Sequence, residues 1–178
     1  MALEDHKVIT KIQLFKFEDD SGKIETLGSA GRPIDSILFE HKQNLVEKIE
    51  DEGNMLLLDG ITFLWKCVIQ GMCFPPFDQQ HSHIAVGDSD EPPKREHKGL
   101  LGRNRHYRHV DYGYPLLMTD TAVFRATFGK NHANFEWNEF SIANGNTPLA
   151  VHLNRGIKKM GKKDPSMSWL FIVSITIR

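Results

Sequence analysis

Glu139 lies in the run NHANFEWNEFSIANG, residues 131–145, where its type and its place conflict. Phe135 and Trp137 are two apart, and so are Phe140 and Ile142, but the two pairs have opposite parity. Strict strand alternation would put Glu139 on the face of Trp137 and aim a carboxylate at the core. Two arrangements resolve the conflict. A β-bulge near Asn138–Glu139 lets both aromatic pairs face inward and turns Glu139 outward. Alternatively, Glu139 points in and meets a cation or backbone donors, because an unpaired buried carboxylate is strongly unfavourable. Arg155, in HLNR on the next strand-like run, is the natural partner, with Arg103 and Arg105 as the others. A bidentate pair would also fix strand register. A single glutamate with no second acid, nucleophile or metal beside it makes a poor catalytic site.

Three further groups have chemistry-bearing types. His81 and His83 alternate on a strand-like run, so both imidazoles point one way, and His106 and His109 follow after a loop. Such a set could hold a metal as in cupin-like sandwich enzymes. The competing reading sends Ile84 and Val86 inward and the histidines to water, and no acidic ligand follows at a suitable spacing. Between Lys94 and His109 lie six Lys or Arg, including Lys94, Arg95, Arg103, Arg105 and Arg108, around Tyr107. This loop suits contact with an acidic partner or plain solvation. It lacks the aromatic interleaving and framing motif of a nucleic-acid module. Cys67 and Cys73 have no thiol-protease signature near them. They are too few for a secreted disulfide framework, and Cys67 falls in an apolar helical pattern and reads as a buried thiol. There is no P-loop, dinucleotide fingerprint or serine-centred elbow.

The elements that must position these residues divide the 178-residue chain into a helix-containing part, 1–75, and a strand-rich part, 76–178. Net charge is −1, so bulk charge implies neither nucleic acid nor membrane. Of 23 acids and 22 bases, 13 and 7 lie in residues 1–60, leaving 10 and 15 beyond. The two halves could therefore face each other within a fold or between copies. MALEDHK has no apolar leader core, and the apolar run 55–72 is too polar to span a bilayer, so a reducing cytoplasm is expected.

KVITKIQLFKFEDDSGKIETLG reads as a hairpin turning at DDSG. A helix capped by Asp35 or Ser36 follows, with Leu38, Leu45 and Ile49 as its stripe and Gly53 as its end. A second helix, 54–70, carries Leu57, Ile61, Leu64 and Val68 opposite Asp59, Thr62, Lys66 and Gln70. A single helix over 35–70 would point the two stripes apart, which favours the break. Against the break, Glu50, Asp51 and Glu52 would then oppose a helix C-terminal dipole. The second helix is core by default, and any part of it left exposed would be an oligomer contact. After the linker GMCFPPFDQQ come HSHIAVG, TAVFRATF, ANFEWNEFSIA, LAVHLNR and SWLFIVSITIR, separated by turn-formers. RGIKKMGKKD reads as a charged connection. In the last run Phe171, Val173, Ile175 and Ile177 form the set to bury. The fold class is α+β, with a C-terminal antiparallel β-sandwich, an N-terminal β-hairpin and two helices.

The ordered runs HIAVGD, GLLGRNR, TAVFRATFGKNHANFEWNEFSIANG, PLAVHLNRGI and KDPSMSWLFIVSITI, over residues 81–178, resemble a module of tailed-bacteriophage virion proteins. The likeness is to collar and tail-fibre structural proteins, with capsid-surface decoration proteins close behind. It is carried by Gly87, Leu100, Arg103, Phe124, Phe128, Ala133, Asn134, Phe135, Trp137, Glu139, Asn154, Arg155 and Trp169. This chain departs from the pattern at GDSDEPPKREHKG, which is charged where relatives are Gly/Thr-rich, and at FSI, 140–142. The resemblance implies a structural pair of Glu139 with Arg155 and a non-enzymatic virion component. Such a component is made in the host bacterial cytoplasm and held in symmetric copies against itself and other virion proteins. It implies no cofactor, nucleic acid or membrane partner.

Overall fold

The computed structural model describes residues 8–178. The N-terminal run MALEDHK and the first residue of the expected hairpin lie outside them. β1 (Val8–Glu18), β2 (Leu45–Glu52), β6 (Leu116–Met118), β7 (Thr121–Phe128) and β10 (Met167–Ile177) form one antiparallel sheet in the order β2-β1-β10-β7-β6. β3 (Met55–Leu56), β4 (His83–Gly87), β5 (Arg105–His109), β8 (Glu136–Ala143) and β9 (Asn154–Lys162) form the second, in the order β3-β9-β8-β4-β5. The sheets face each other across a core of Ile12, Leu14, Val86, Phe124, Phe128, Trp137, Phe140, Phe171 and Val173, among others. Trp137 is its centre, with ring centroids 4.6 Å from Phe128 and 4.7 Å from Trp169, both edge-on. The architecture is α+β and mostly sheet, as the sequence reading expects. β1 pairs with β10 over its whole length, so the first and last strands share one sheet.

The N-terminal part departs from the expected hairpin and helices in three places. The return strand of the hairpin is instead α1 (Lys23–Ser29). Asp19 turns the chain there by accepting the amides of Ile24 at 3.2 Å and Glu25 at 3.0 Å, two donors a helix start leaves without partners. The helix expected up to Gly53 stops early: α2 is Ile34–Glu40, and Leu45–Glu52 is the edge strand β2. Leu45 and Ile49 are four apart, a spacing that fits a helix face and a strand face alike. A bulge between their registers sends them to opposite faces of the sheet, Leu45 under α1 and α2 and Ile49 toward the inter-sheet core. The anions of the 50–52 run thereby avoid a helix C-terminus. They lie along a sheet edge beside Lys11, Lys48 and Lys158, where charge discourages edge-to-edge pairing.

The second expected helix is α3 (Leu58–Gln70), ending at Gly71 in the left-handed conformation, φ +63°. Gly60 touches the backbone of Leu153, and Phe63 meets Phe77 edge-on at 5.4 Å. The expected stripe divides: Leu57 is buried and Leu64 packs on the core, but Val68 faces solvent. Cys67 is not a buried thiol; it is bonded to Cys73, tying the helix end to the chain beyond it. RGIKKMGKKD is not a connection but most of β9. Its register against β8 slips between Trp137↔Gly161 and Glu139↔Ile157, and Met160 is buried in the core. On β10, Phe171, Val173 and Ile175 face the inter-sheet core, while Ile177 is exposed. Leu170 and Ile172 on the opposite face are buried too, beneath α1 and α2 with Phe15, Phe17, Ile24 and Ile37.

Candidate functional site

Glu139 resolves its conflict by both routes at once. The register slip between Trp137 and Glu139 keeps Trp137, Phe140 and Ile142 in the inter-sheet core. Glu139 turns to the outer face of the second sheet. That face is not open to water, because the 88–104 loop folds back across it. One Glu139 carboxylate oxygen accepts the amide of Gly102 at 2.7 Å, and both lie 3.1 Å from the amide of Leu101. Arg155 Nε donates to Glu139 at 2.7 Å, with both side chains fully buried. The other end of the guanidinium donates to the Glu91 carbonyl at 2.9 Å. Gly87, paired with Glu139 across β4 and β8, leaves room for the carboxylate: a Cβ there would sit 2.4 Å from Oε1. The loop is held at its base as well. Asp88 accepts the Asn104 backbone amide at 3.1 Å and its side-chain amide at 2.7 Å, and Asn138 donates to the Asp88 carbonyl at 3.0 Å. These residues form a latch whose directional bonds end on loop backbone.

Beside the latch runs a chain of hydrogen bonds that superficially resembles a nucleophile with its base. Ser141 Oγ is 2.7 Å from His152 Nδ1 and 2.5 Å from the Asn154 carbonyl. The carbonyl can only accept, so the serine proton is committed to it. His152 therefore carries its proton on Nδ1 and donates to Ser141, leaving Nε2 to face the Tyr107 hydroxyl at 3.4 Å. This is the reverse of the tautomer a serine nucleophile needs. Burial, and to a lesser degree the Arg105 cation, pushes His152 down to about 4, so it is neutral at pH 7. The pocket outside it is small, about 90 Å³, with Lys98, Arg105 and Tyr107 in its lining.

The basic residues singled out from sequence do not form one surface. Lys94, Arg95, Arg103 and Arg105 are exposed on the 88–104 loop and the start of β5. Tyr107 is turned to the outer face against His152. Arg108 is turned to the other face and spends its donors on the Thr127 carbonyl at 2.7 Å, on Ser29 and on Glu25. The four histidines are not brought together either. His83 and His109 are cross-strand neighbours with ring centroids 5.2 Å apart. His81 is held by Asp78 at 2.8 Å, His83 by the His81 carbonyl, and His109 by the carbonyls of Val110 and Gln80. His106 lies across the strand against Phe128 and His132; burial first, and then the charges of His132, Arg108 and Lys163, push it down to about 4. Among the described residues no group of three or more His, Cys, Asp or Glu side chains is placed to hold a metal.

A second buried ion pair went unrecognised in the sequence. Arg125 Nε donates to Asp111 at 2.8 Å, and its other nitrogens donate to the carbonyls of Arg32 and Gly28 at the C-terminal side of α1. Asp111 also accepts the amide and hydroxyl of Thr127. The signal was available: an arginine inside the apolar run TAVFRATF poses the same question as Glu139.

Large apolar side chains also remain on the surface. Trp65, Val68, Ile69 and Met72 on and just after α3, Phe74 beyond them, and Leu117 and Met118 on β6 are all exposed. A groove of about 320 Å³ near α3 and β6 is lined by Leu56, Leu64, Leu117, Leu153, Ile175 and Ile177, with Thr119, Asp120 and Ala122. Among the described residues no helix is long and apolar enough to cross a membrane. No family model matches the chain, and neither does any curated protein or solved structure.

Proposed function

We propose that this chain is a non-enzymatic structural component of a tailed-phage virion, in the collar, neck or tail. It works through repeated contacts with copies of itself and with neighbouring virion proteins, and needs no cofactor. The observation that carries this reading is the latch. Glu139 and Arg155 are fully buried, and their hydrogen bonds fix the 88–104 loop rather than line a cavity. The residues through which the sequence resembles phage virion proteins serve the same end: Glu139 and Arg155 hold the loop that contains Leu100, while Phe128, Trp137 and Trp169 form the aromatic centre of the core. Polar chemistry spent on shape, with apolar surface left outside, suits a protein that binds by complementarity.

The test is recovery of the chain from particles. Phage particles from the host that carries this gene are banded by density, dissociated into heads and tails, and each fraction is assayed for the chain by mass spectrometry. The chain is expected at fixed stoichiometry in the tail or neck fraction. Recovery with tail-less heads would move it to the capsid surface. Infectious particles that lack the chain would refute the virion role.

A further inference from the structure

The outward face of α3 carries an apolar repeat that the described residues leave largely uncovered. Leu58, Ile61, Trp65 and Val68 follow one another at intervals of three, four and three residues, the a/d spacing of a helix–helix seam. Gly60, Phe63 and Leu64 occupy the other side and pack on the sandwich. Most of the seam, with Ile69, therefore faces away from it: Leu58 is 40 % exposed, Trp65 59 %, Val68 76 % and Ile69 73 %, while Ile61 is partly buried. Met72 and Phe74 extend the apolar surface past Gly71. Together these residues expose on the order of 700 Å², above the 300–600 Å² of a typical monomer's largest apolar patch and near the ~800 Å² each partner gives a standard interface.

We propose that this face is a homotypic contact, in which α3 of a second copy of this chain packs antiparallel on it about a two-fold axis. The inference deepens the reading of a protein held in repeated copies and rests on it for its role in a particle. A second copy is the fitting occupant because of the seam and of its area. The seam is self-complementary: in an antiparallel register Leu58 of one copy lies opposite Val68 of the other, and the partly buried Ile61 opposite Trp65. The exposed apolar area is close to what each partner of a stable dimer gives, and the charge of Asp59 lies off the seam, held within its own chain by Lys98 at 2.8 Å.

The full chain, purified with its disulfide intact, is examined by sedimentation equilibrium and light scattering across a hundredfold range of concentration. The expected result is a dimer. Val68→Glu is expected to weaken self-association at least about 30-fold, because it drives a carboxylate into an apolar contact. Its melting temperature should stay within a few degrees of wild type, since Val68 touches little of its own fold. Phe39→Glu, on the exposed face of α2, should leave the mass unchanged. A wild-type monomer throughout, or a dimer that Val68→Glu leaves intact, overturns the proposal. So does a monomer that instead sediments with neutral phosphatidylcholine vesicles. A monomeric chain found at fixed stoichiometry in particles would sink this contact and leave the virion role standing; a dimer absent from particles would do the reverse.

Discussion

Replacing Glu139 by alanine removes the acceptor for three buried donors at once: the amides of Leu101 and Gly102 and the Arg155 guanidinium. Arg155 is fully buried, so its charge cannot reach water without moving β9 or lifting the loop. Removing one partner of such a pair costs about 3–5 kcal/mol, most of it the charge left behind. In a chain of this size each kcal/mol moves the midpoint by about 2–4 °C, so the melting temperature should fall by roughly 10–15 °C. The loss has a local signature as well. In hydrogen exchange, the amides of Leu101 and Gly102 should lose protection before those of β1 and β10. The double variant Glu139→Met with Arg155→Met separates charge from packing. It loses the grip on the Glu91 carbonyl but strands no ion, and should melt above Glu139→Ala alone. If Glu139→Ala melts within about 1 kcal/mol of wild type, or the double variant is the less stable of the two, the latch is not what holds the loop.

Gly60→Ala would ordinarily stabilise a helix by up to about 1 kcal/mol. Here its Cβ would stand 2.6 Å from the Leu153 backbone, so the sign inverts and a loss of about 1–3 kcal/mol is expected in chemical denaturation. Replacing Cys67 and Cys73 together by serine opens a loop of six-residue separation, which costs at most about 2 kcal/mol of closure entropy. Wild type should therefore melt slightly lower with reductant, and the double serine variant should not respond to it. Acid should destabilise the fold between pH 6.5 and 4. His152 and His106 are each pushed from 6.5 to about 4, mainly by burial, and His83 and His132 are lowered too. The unfolded chain then binds protons that the folded chain refuses, so stability is full above the unfolded value and falls as pH drops toward the folded one. Buried His152 alone accounts for about 3 kcal/mol of this, and His152→Gln should flatten the slope of melting temperature against pH over that window.

The strands that sequence located share one property: their signal is carried by β-branched and aromatic residues on a face that packs. VITKIQLFKF, HIAVG, TAVFRATF and SWLFIVSITI need no knowledge of their neighbours to be read as strands. Glu139 was legible for a related reason. A break in parity within an apolar run demands either a bulge or a partner, and the fold supplies both. Most of the failures share the opposite property, since they depend on a contact from far along the chain. KIETLG is helical because Asp19 accepts its first amides and because Leu170 and Ile172 of β10 need a cover. LVEKIEDE is a strand because β1 offers it an edge, and its bulge disguises the period. KKMGKK is a strand because β8 pairs with it, although its lysines read as a solvated linker. The disulfide is invisible to a count of cysteines, which carries no information about whether two of them meet at a helix end.

The placement of the two buried ion pairs bears on what the fold is built to keep fixed. Neither lies between the sheets, where Trp137 packs among aromatic and aliphatic side chains and its indole donates to the Ala133 carbonyl. Each lies on the outer face of a sheet and ends on irregular backbone: Glu139 and Arg155 on the 88–104 loop, Asp111 and Arg125 on the α1–α2 corner. An apolar pair of the same volume would bury these faces as well, and such replacements are often neutral or stabilising. What it would lack is direction. Strands have a ladder to fix their register, whereas a loop laid over a sheet has only its side-chain contacts, and greasy ones let it slide. A guanidinium that donates to a carboxylate and to named carbonyls admits one position. A catalyst needs that rigidity around a cavity. Here it is spent on the outside of the sandwich, where it fixes the shape of the surface, as the assembly role proposed above requires.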